Sequence, residues 1–259
     1  MPADLQGHTA LVTGASSGIG ADLARVLAAR GANLVLAARR AEALEAVAAS
    51  VRSAAQVSVQ VRPIDLLDER ARTALHAESA DVDILVNNAG LGVFGPFADA
   101  PWERTREVLE LNLVALTHLT QLFLPGMLAA RWGRVMLVAS TAAFQPVPNY
   151  AVYAASKAHV LSFGMALNQE LKGTGVSCTT LNPGVTATEF FGVAGQTLGM
   201  FQRRTMMQGA DVARVGVDAM VARRASVTAG AANAMGAFGT RLIPRGFAAV
   251  LAGRMNRPG

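Results

Sequence analysis

Short apolar runs alternate with helical stripes along most of the chain. Thr9–Thr13 reads as a buried strand and a glycine-rich turn follows. Ile19, Leu23, Val26 and Leu27 then recur at helical spacing until Gly31 supplies a stop. Asn33–Ala38 is the next apolar run, followed by an alanine-rich helix from about Ala41 to Val51. Val57–Val61 alternates as a strand, a polar helix covers about Leu67–Ser79, and Asp83–Val86 is a strand ending in Asn87-Asn88-Ala89-Gly90. Pro101 suits a first helical turn. A long stripe follows through Leu109, Leu113, Leu116, Thr120, Phe123 and Met127, with Pro125 expected to kink its end. Arg134–Ala139 and Val176–Leu181 are further strands, flanking a helix from Tyr153 to about Leu171. Beyond Pro183 the pattern stays apolar but turns irregular. Strands alternating with helices, and strands that are apolar throughout, predict an α/β fold: one domain over residues 1–259, a doubly wound parallel sheet with helices on both faces. Such sheets take ligands at the carboxyl ends of their strands.

Composition narrows this. Of 259 residues, 52 % are hydrophobic and 16 % charged, which excludes a disordered chain. Cys178 is the only cysteine, so no intrachain disulfide or cysteine-based zinc knuckle forms, and no metal is expected. It sits in an apolar run and reads as a core thiol. No uninterrupted run of ~18 apolar residues suggests a spanning helix, and with no signal-like N-terminus the expected compartment is the cytoplasm. The net charge of +5 is uneven: residues 203–259 hold nine arginines and two acids, leaving −2 elsewhere. Without aromatic platforms that basic stretch does not suggest nucleic acid.

The glycine turn is Thr13-Gly14-Ala15-Ser16-Ser17-Gly18-Ile19-Gly20, between a strand and a helix. Glycines there let backbone approach a pyrophosphate, and the helix start offers unpaired N–H groups. A plain turn is the alternative, made less apt by its place after the first strand. The second strand ends in Ala37-Ala38-Arg39-Arg40 with no carboxylate. An acid there would bind a ribose 2′-hydroxyl; arginine instead accommodates a 2′-phosphate, which points to NADP(H).

Tyr153 and Lys157 are four apart, on one face of the predicted helix. A tyrosine ionises near ~10, and a cation within ~4–6 Å lowers an acid's pKa by ~1–3 units, so Lys157 could ready Tyr153 for proton transfer. Ser140, at a strand's carboxyl end, could hydrogen-bond a substrate carbonyl.

Together Thr13–Gly20, Asn87–Gly90, Asn112, Ser140 with Tyr153-x-x-x-Lys157, and Asn182-Pro183-Gly184 resemble the short-chain dehydrogenases/reductases of ordinary length, over about residues 5–188. The resemblance implies a Rossmann-type fold and an NADP-preferring, carbonyl reductase-like enzyme. Tyr153 would be its general acid or base and Lys157 would lower its pKa and hold the nicotinamide ribose. Ser140 would orient the carbonyl, with Thr141 as runner-up, and Asn112 would disturb its helix and support a proton relay to Lys157. By the same resemblance Asp65 and Leu66 contact adenine, and Asn88, Ala89 and Gly90 wall the adenosine ribose while Asn87 ties strands. Pro183, Gly184, Thr186 and Thr188 surround the carboxamide, with Thr186 where relatives carry an aliphatic residue.

Residues 189–208 are expected to form a substrate lid, lined by Phe190, Phe191, Met200, Phe201, Met206 and Met207. Phe94, Phe144, Pro146, Val147 and Tyr150 flank the pocket, which suits a hydrophobic ketone or aldehyde. The segment 230–259 diverges from many relatives. Its residues 238–257 read as an amphipathic helix on an acidic membrane, a basic rim at the pocket mouth, or a solvated tail. A homodimer or homotetramer is expected. The alternatives to a carbonyl reductase are a 3-oxoacyl thioester reductase and a non-catalytic NADP-sensing protein.

Overall fold

The computed structural model describes residues 4–196 and 206–255. Seven parallel strands form one sheet in the order β3-β2-β1-β4-β5-β6-β7. They are β1 (Thr9–Thr13), β2 (Asn33–Ala38), β3 (Val59–Pro63), β4 (Ile84–Asn87), β5 (Gly133–Val138), β6 (Val176–Asn182) and β7 (Ser226–Thr228). The helices are α1 (Gly18–Ala29), α2 (Ala41–Ala54), α3 (Glu69–Ala77), α4 (Trp102–Leu109), α5 (Leu116–Ala129), α6 (Ala151–Glu170), α7 (Phe190–Ala194), α8 (Gly209–Val221), α9 (Ala231–Gly239) and α10 (Arg245–Met255).

Alternate residues of each strand feed opposite layers. Val12, Leu36, Val86 and Met136 pack on α1, α2 and α8 through Leu23, Leu44 and Val217. Leu11, Val35, Leu85 and Val135 pack on α3, α5 and α6 through Leu75, Phe123 and Val160. Both faces are covered, which is why the strands carry so little polar alternation. Cys178 is fully buried in the second layer, and burial pushes its thiol up to about 12. Strand order reverses between β1 and β4, and the crevice opens at their carboxyl ends.

Three sequence expectations shift. The third strand lies at Val59–Pro63 rather than 57–61, because pairing of Leu34 with Val59 and of Ala38 with Pro63 sets its register. Proline is tolerated there because β3 is a sheet edge. The long stripe is re-phased by a π-helical turn at Glu110–Ala115. Val108, Asn112 and Ala115 are buried, while Leu109 and Leu113 are only half-buried. Helix α5 carries on through Pro125 to Ala129. Third, the irregular region after Pro183 holds β7, paired in parallel with β6, and the helices α8 to α10.

The run Trp102–Ala129 is long and apolar enough to cross a bilayer by length and mean hydropathy (1.3 over its best window). Here it serves as a core helix, with Leu116, Leu119, Phe123 and Met127 packed beneath the sheet.

Candidate active site

Glycine geometry builds the phosphate end of the crevice. Gly14 and Gly18 have φ of +65° and +54°, a region that favours glycine. A Cβ at Gly14 would lie 2.9 Å from the Ala89 Cα, and one at Gly20 would run into the Gly14 carbonyl oxygen. The absence of side chains therefore lets the α1 start close on β1 and β4. Asn88 holds this junction by donating its amide to the Thr13 carbonyl at 2.9 Å and the Gly14 carbonyl at 3.3 Å. Asn87 does not tie strands: its amide donates to Thr120 Oγ1 at 3.0 Å and the Leu116 carbonyl at 3.3 Å, anchoring β4 to α5.

Arg39 and Arg40 differ. Both are exposed at the rim. Arg40 donates to Ser17 Oγ and Glu189 Oε2, both at 2.9 Å, and to Ser16 Oγ at 3.4 Å. These contacts hold the Glu189 carboxyl below its usual range, through the hydrogen bonds from Arg40 and Ser17. Arg39 makes no hydrogen bond or ion pair among the described residues and is free to meet an anion.

Helix α6 presents Tyr153 and Lys157 to the crevice. A Cβ at Gly164 would strike Thr180 Oγ1, so α6 sits close on the sheet. Lys157 is buried and donates to the Val138 carbonyl at 2.8 Å. Its Nζ lies 5.8 Å from the Tyr153 ring centre. Ser140 caps the short 3-10 turn Thr141–Phe144 by accepting from the Ala142 N–H at 3.1 Å, and it hydrogen-bonds Tyr153. Gly90 completes the wall: a Cβ there would stand 3.2 Å from both Asn112 Oδ1 and Lys157 Nζ.

The electrostatics correct one expectation. Lys157 does not hold the Tyr153 phenol below its ordinary value within the polypeptide. Burial pushes Tyr153 up to about 12, against the opposing hydrogen bond from Ser140. Burial also lowers Lys157 to about 8. Burial dominates both shifts, and the Lys157 ammonium is directed to the Val138 carbonyl.

Asn112, fully buried in the π turn, exchanges hydrogen bonds with Leu91 in both directions at 2.9 Å and donates to Ser156 Oγ at 2.9 Å. Its side chain stands behind the wall rather than on it.

A cavity of about 930 Å³ runs from the glycine loop to the substrate side. Gly14, Ser16, Ser17, Gly18, Ile19, Gly20, Arg39, Arg40, Asp65, Leu66, Asn88, Ala89 and Gly90 line it, as do Ser140, Tyr153, Lys157, Pro183, Gly184, Thr186 and Thr188. On the substrate side Val147, Tyr150, Phe190 and Phe191 line it as expected. Phe94 does not: it packs behind Tyr150 with ring centres 5.1 Å apart. Phe144, at the end of the 3-10 turn, and Pro146 also stay off the wall. Met206 and Met207 lie away from it, because Met207 joins Thr186 in an isolated bridge beside the core. Met200 and Phe201 lie outside the described residues.

Several wall residues escaped the sequence reading. Gln196 accepts a hydrogen bond from the Tyr150 hydroxyl at 2.8 Å. Gly236, Ala237, Ile243, Leu251 and Ala252 bring the C-terminal segment to the cavity. Asn233 seats against Gly184, where a Cβ would collide with its amide. Nothing local in the sequence signals these contacts, since each crosses a long loop.

The family model described as short chain dehydrogenase matches residues 8–198. The chain belongs to the short-chain dehydrogenases. It is 37 % identical over 191 residues to an uncharacterized oxidoreductase of Myxococcus xanthus (strain DK1622), covering 72 % of this chain and 75 % of that one. It is 35 % identical over 184 residues to the ketoacyl reductase HetN of Nostoc sp., covering 70 % and 64 %. A short-chain dehydrogenase from Sphingobium yanoikuyae, solved in complex with NADPH, superposes with a TM-score of 0.81 at 32 % identity, covering 91 % and 94 %. The oxidoreductase family of this chain accords with its glycine turn: without side chains at Gly14, Gly18 and Gly20 the start of α1 closes on Ala89, Thr188 and the Gly14 carbonyl.

Proposed function

We propose that this short-chain dehydrogenase is an NADP(H)-dependent carbonyl reductase, reversible as an alcohol dehydrogenase, acting on hydrophobic ketones or aldehydes. The observation that carries the reading is the convergence of Ser140, Tyr153 and Lys157 on one cavity that also reaches the glycine cradle. Gly14 to Gly20 would hold the pyrophosphate of NADP(H), Arg39 its 2′-phosphate, Asp65 and Leu66 its adenine, and Pro183, Gly184, Thr186 and Thr188 its carboxamide. Reduced nicotinamide, when bound, supplies the hydride.

The chain's own residues handle the proton. Ser140 orients the carbonyl by hydrogen bonding. Tyr153 gives its phenolic proton to the oxygen as negative charge develops there. An alkoxide is a stronger base than a phenolate, so that transfer is downhill even from a phenol held at about 12. Lys157 offsets the phenolate charge left behind, and the π turn at Asn112 positions the wall next to it. The aromatic group Tyr150, Tyr153 and Phe190, with ring centres 5.2–5.5 Å apart, excludes water and favours an apolar substrate.

General-acid loss costs ~10²–10⁴-fold. Tyr153→Phe is expected to lower turnover by about that factor while NADPH still binds, as read by nucleotide fluorescence. Retained turnover would remove Tyr153 from its role. A second reading, reduction of a 3-oxoacyl thioester, is favoured by the relative named ketoacyl reductase. NADPH-consumption assays with hydrophobic ketones against acyl-pantetheine thioesters separate the two. Self-association is proposed across the outer faces of α5 and α6, where Leu128 and Met165 are exposed.

A further inference from the structure

The two C-terminal helices are built the wrong way round for helices that only serve a core. In α9 the small Ala237 is turned inward, while Met235 and Phe238 are exposed, and Leu242 continues their stripe one turn on. In α10 Ala248 and Ala252 are buried, whereas Phe247 and Val250 face outward and Leu251 is exposed where it borders the cavity. These six large apolar side chains are between 47 % and 74 % exposed. A globular helix ordinarily buries its large apolar face.

Charge accompanies the apolar stripe. Arg241, Arg245 and Arg254 are exposed among these residues and make no ion pair among the described residues. From Ala219 to Gly259 the sequence has six arginines and no acid. A two-fold contact with a second copy would press arginine on arginine with no carboxylate from this segment between them. An anionic bilayer surface satisfies both features: headgroup phosphates pair with guanidinium groups, and Phe and Leu side chains enter the acyl boundary. The surface also borders the cavity, whose wall includes Gly236, Ala237, Ile243, Leu251 and Ala252. Gly253 packs toward Pro148, with an ideal Cβ 3.1 Å from its Cγ, placing α10 beside the substrate side.

We propose that the outer faces of α9 and α10 dock this protein on an anionic phospholipid surface, with the mouth of its cavity at the bilayer. Docking stands on the surface itself; entry of a lipophilic carbonyl from the bilayer rests on the proposed reductase.

Flotation of the full chain with vesicles tests the docking. The protein floats with equimolar phosphatidylglycerol and phosphatidylcholine and stays behind with phosphatidylcholine alone, and high salt weakens the association. The triple changes R241E/R245E/R254E and F238S/L242S/F247S each lower the floated fraction at least ~10-fold, while NADPH fluorescence verifies that the fold and cradle persist. Absence of flotation, or equal flotation with neutral vesicles, overturns the proposal. So does an apolar triple variant that dissociates an oligomer in sedimentation yet floats like the parent, since the occupant is then a second copy. The route is read separately: anionic vesicles accelerate reduction of a bilayer-dissolved ketone and leave a water-soluble one unaffected. Flotation without that acceleration removes the route and leaves the docking, and flotation with no carbonyl turnover at all removes the reductase reading alone.

Discussion

At the scale of single residues, Tyr153 and Lys157 are both shifted by the dryness of their surroundings, in opposite senses. Tyr153, pushed up to about 12, keeps its proton near neutrality, as the proposed general acid requires. Lys157 at about 8 is charged below that pH and neutral above it. If its charge offsets the phenolate, kcat/KM for carbonyl reduction is level below pH about 8 and falls above it. A profile level through pH 8 in initial-rate assays would show that the ammonium is dispensable. The two rim arginines also separate. Arg40 is engaged with Ser17 and Glu189, which leaves Arg39 as the guanidinium proposed to meet a 2′-phosphate. Arg39→Asp is expected to shift preference from NADPH toward NADH by roughly 10–100-fold, the worth of one charge-assisted hydrogen bond. Equal losses with both cofactors in steady-state titrations would release Arg39 from that task. The tyrosine, lysine, serine and asparagine were legible because each belongs to a spaced motif. Glu189 and Gln196 were not, because their partners Arg40 and Tyr150 lie 149 and 46 residues away.

At the scale of elements, close approach of backbone decides the cradle. Gly20→Ala places a methyl against the Gly14 carbonyl, so α1 must move off the sheet. Overpacking of this kind costs ~1–3 kcal/mol, and the displaced α1 start weakens NADPH binding as well. Gly126→Ala is the contrasting change, because a Cβ there meets nothing within 4 Å. It leaves binding unchanged and adds up to ~1 kcal/mol from helix propensity. Urea unfolding and nucleotide fluorescence titration of the pair check both outcomes. The strands β1, β2, β4 and β5 could be read almost residue for residue, since strands buried on both faces are near-continuous apolar runs, while β6 buries Ser177, Thr179, Thr180 and Asn182 among Val176, Cys178 and Leu181. The π turn could not. A helical-period reading assumes even spacing, and the extra residue at Glu110–Ala115 moves burial from Leu109 and Leu113 to Val108 and Asn112.

At the scale of the whole molecule, alternation of strands and helices was enough to place a crevice at the carboxyl ends of the strands, whereas the reversal of strand order between β1 and β4 is set by long-range pairing that no local pattern carries. Beyond Pro183 legibility failed for a physical reason. There the large apolar residues of α9 and α10 face outward, so the usual equation of apolar stripe with core does not hold. The same region closes the substrate side of the cavity, which no motif reported. Across the opening, Arg40 on the nucleotide side reaches Glu189 just before α7 on the other. Both ends of that pair stand in water, 54 % and 60 % exposed. It is a light catch. Solvent screens such a pair, so the join it makes across the opening is weak and parts readily.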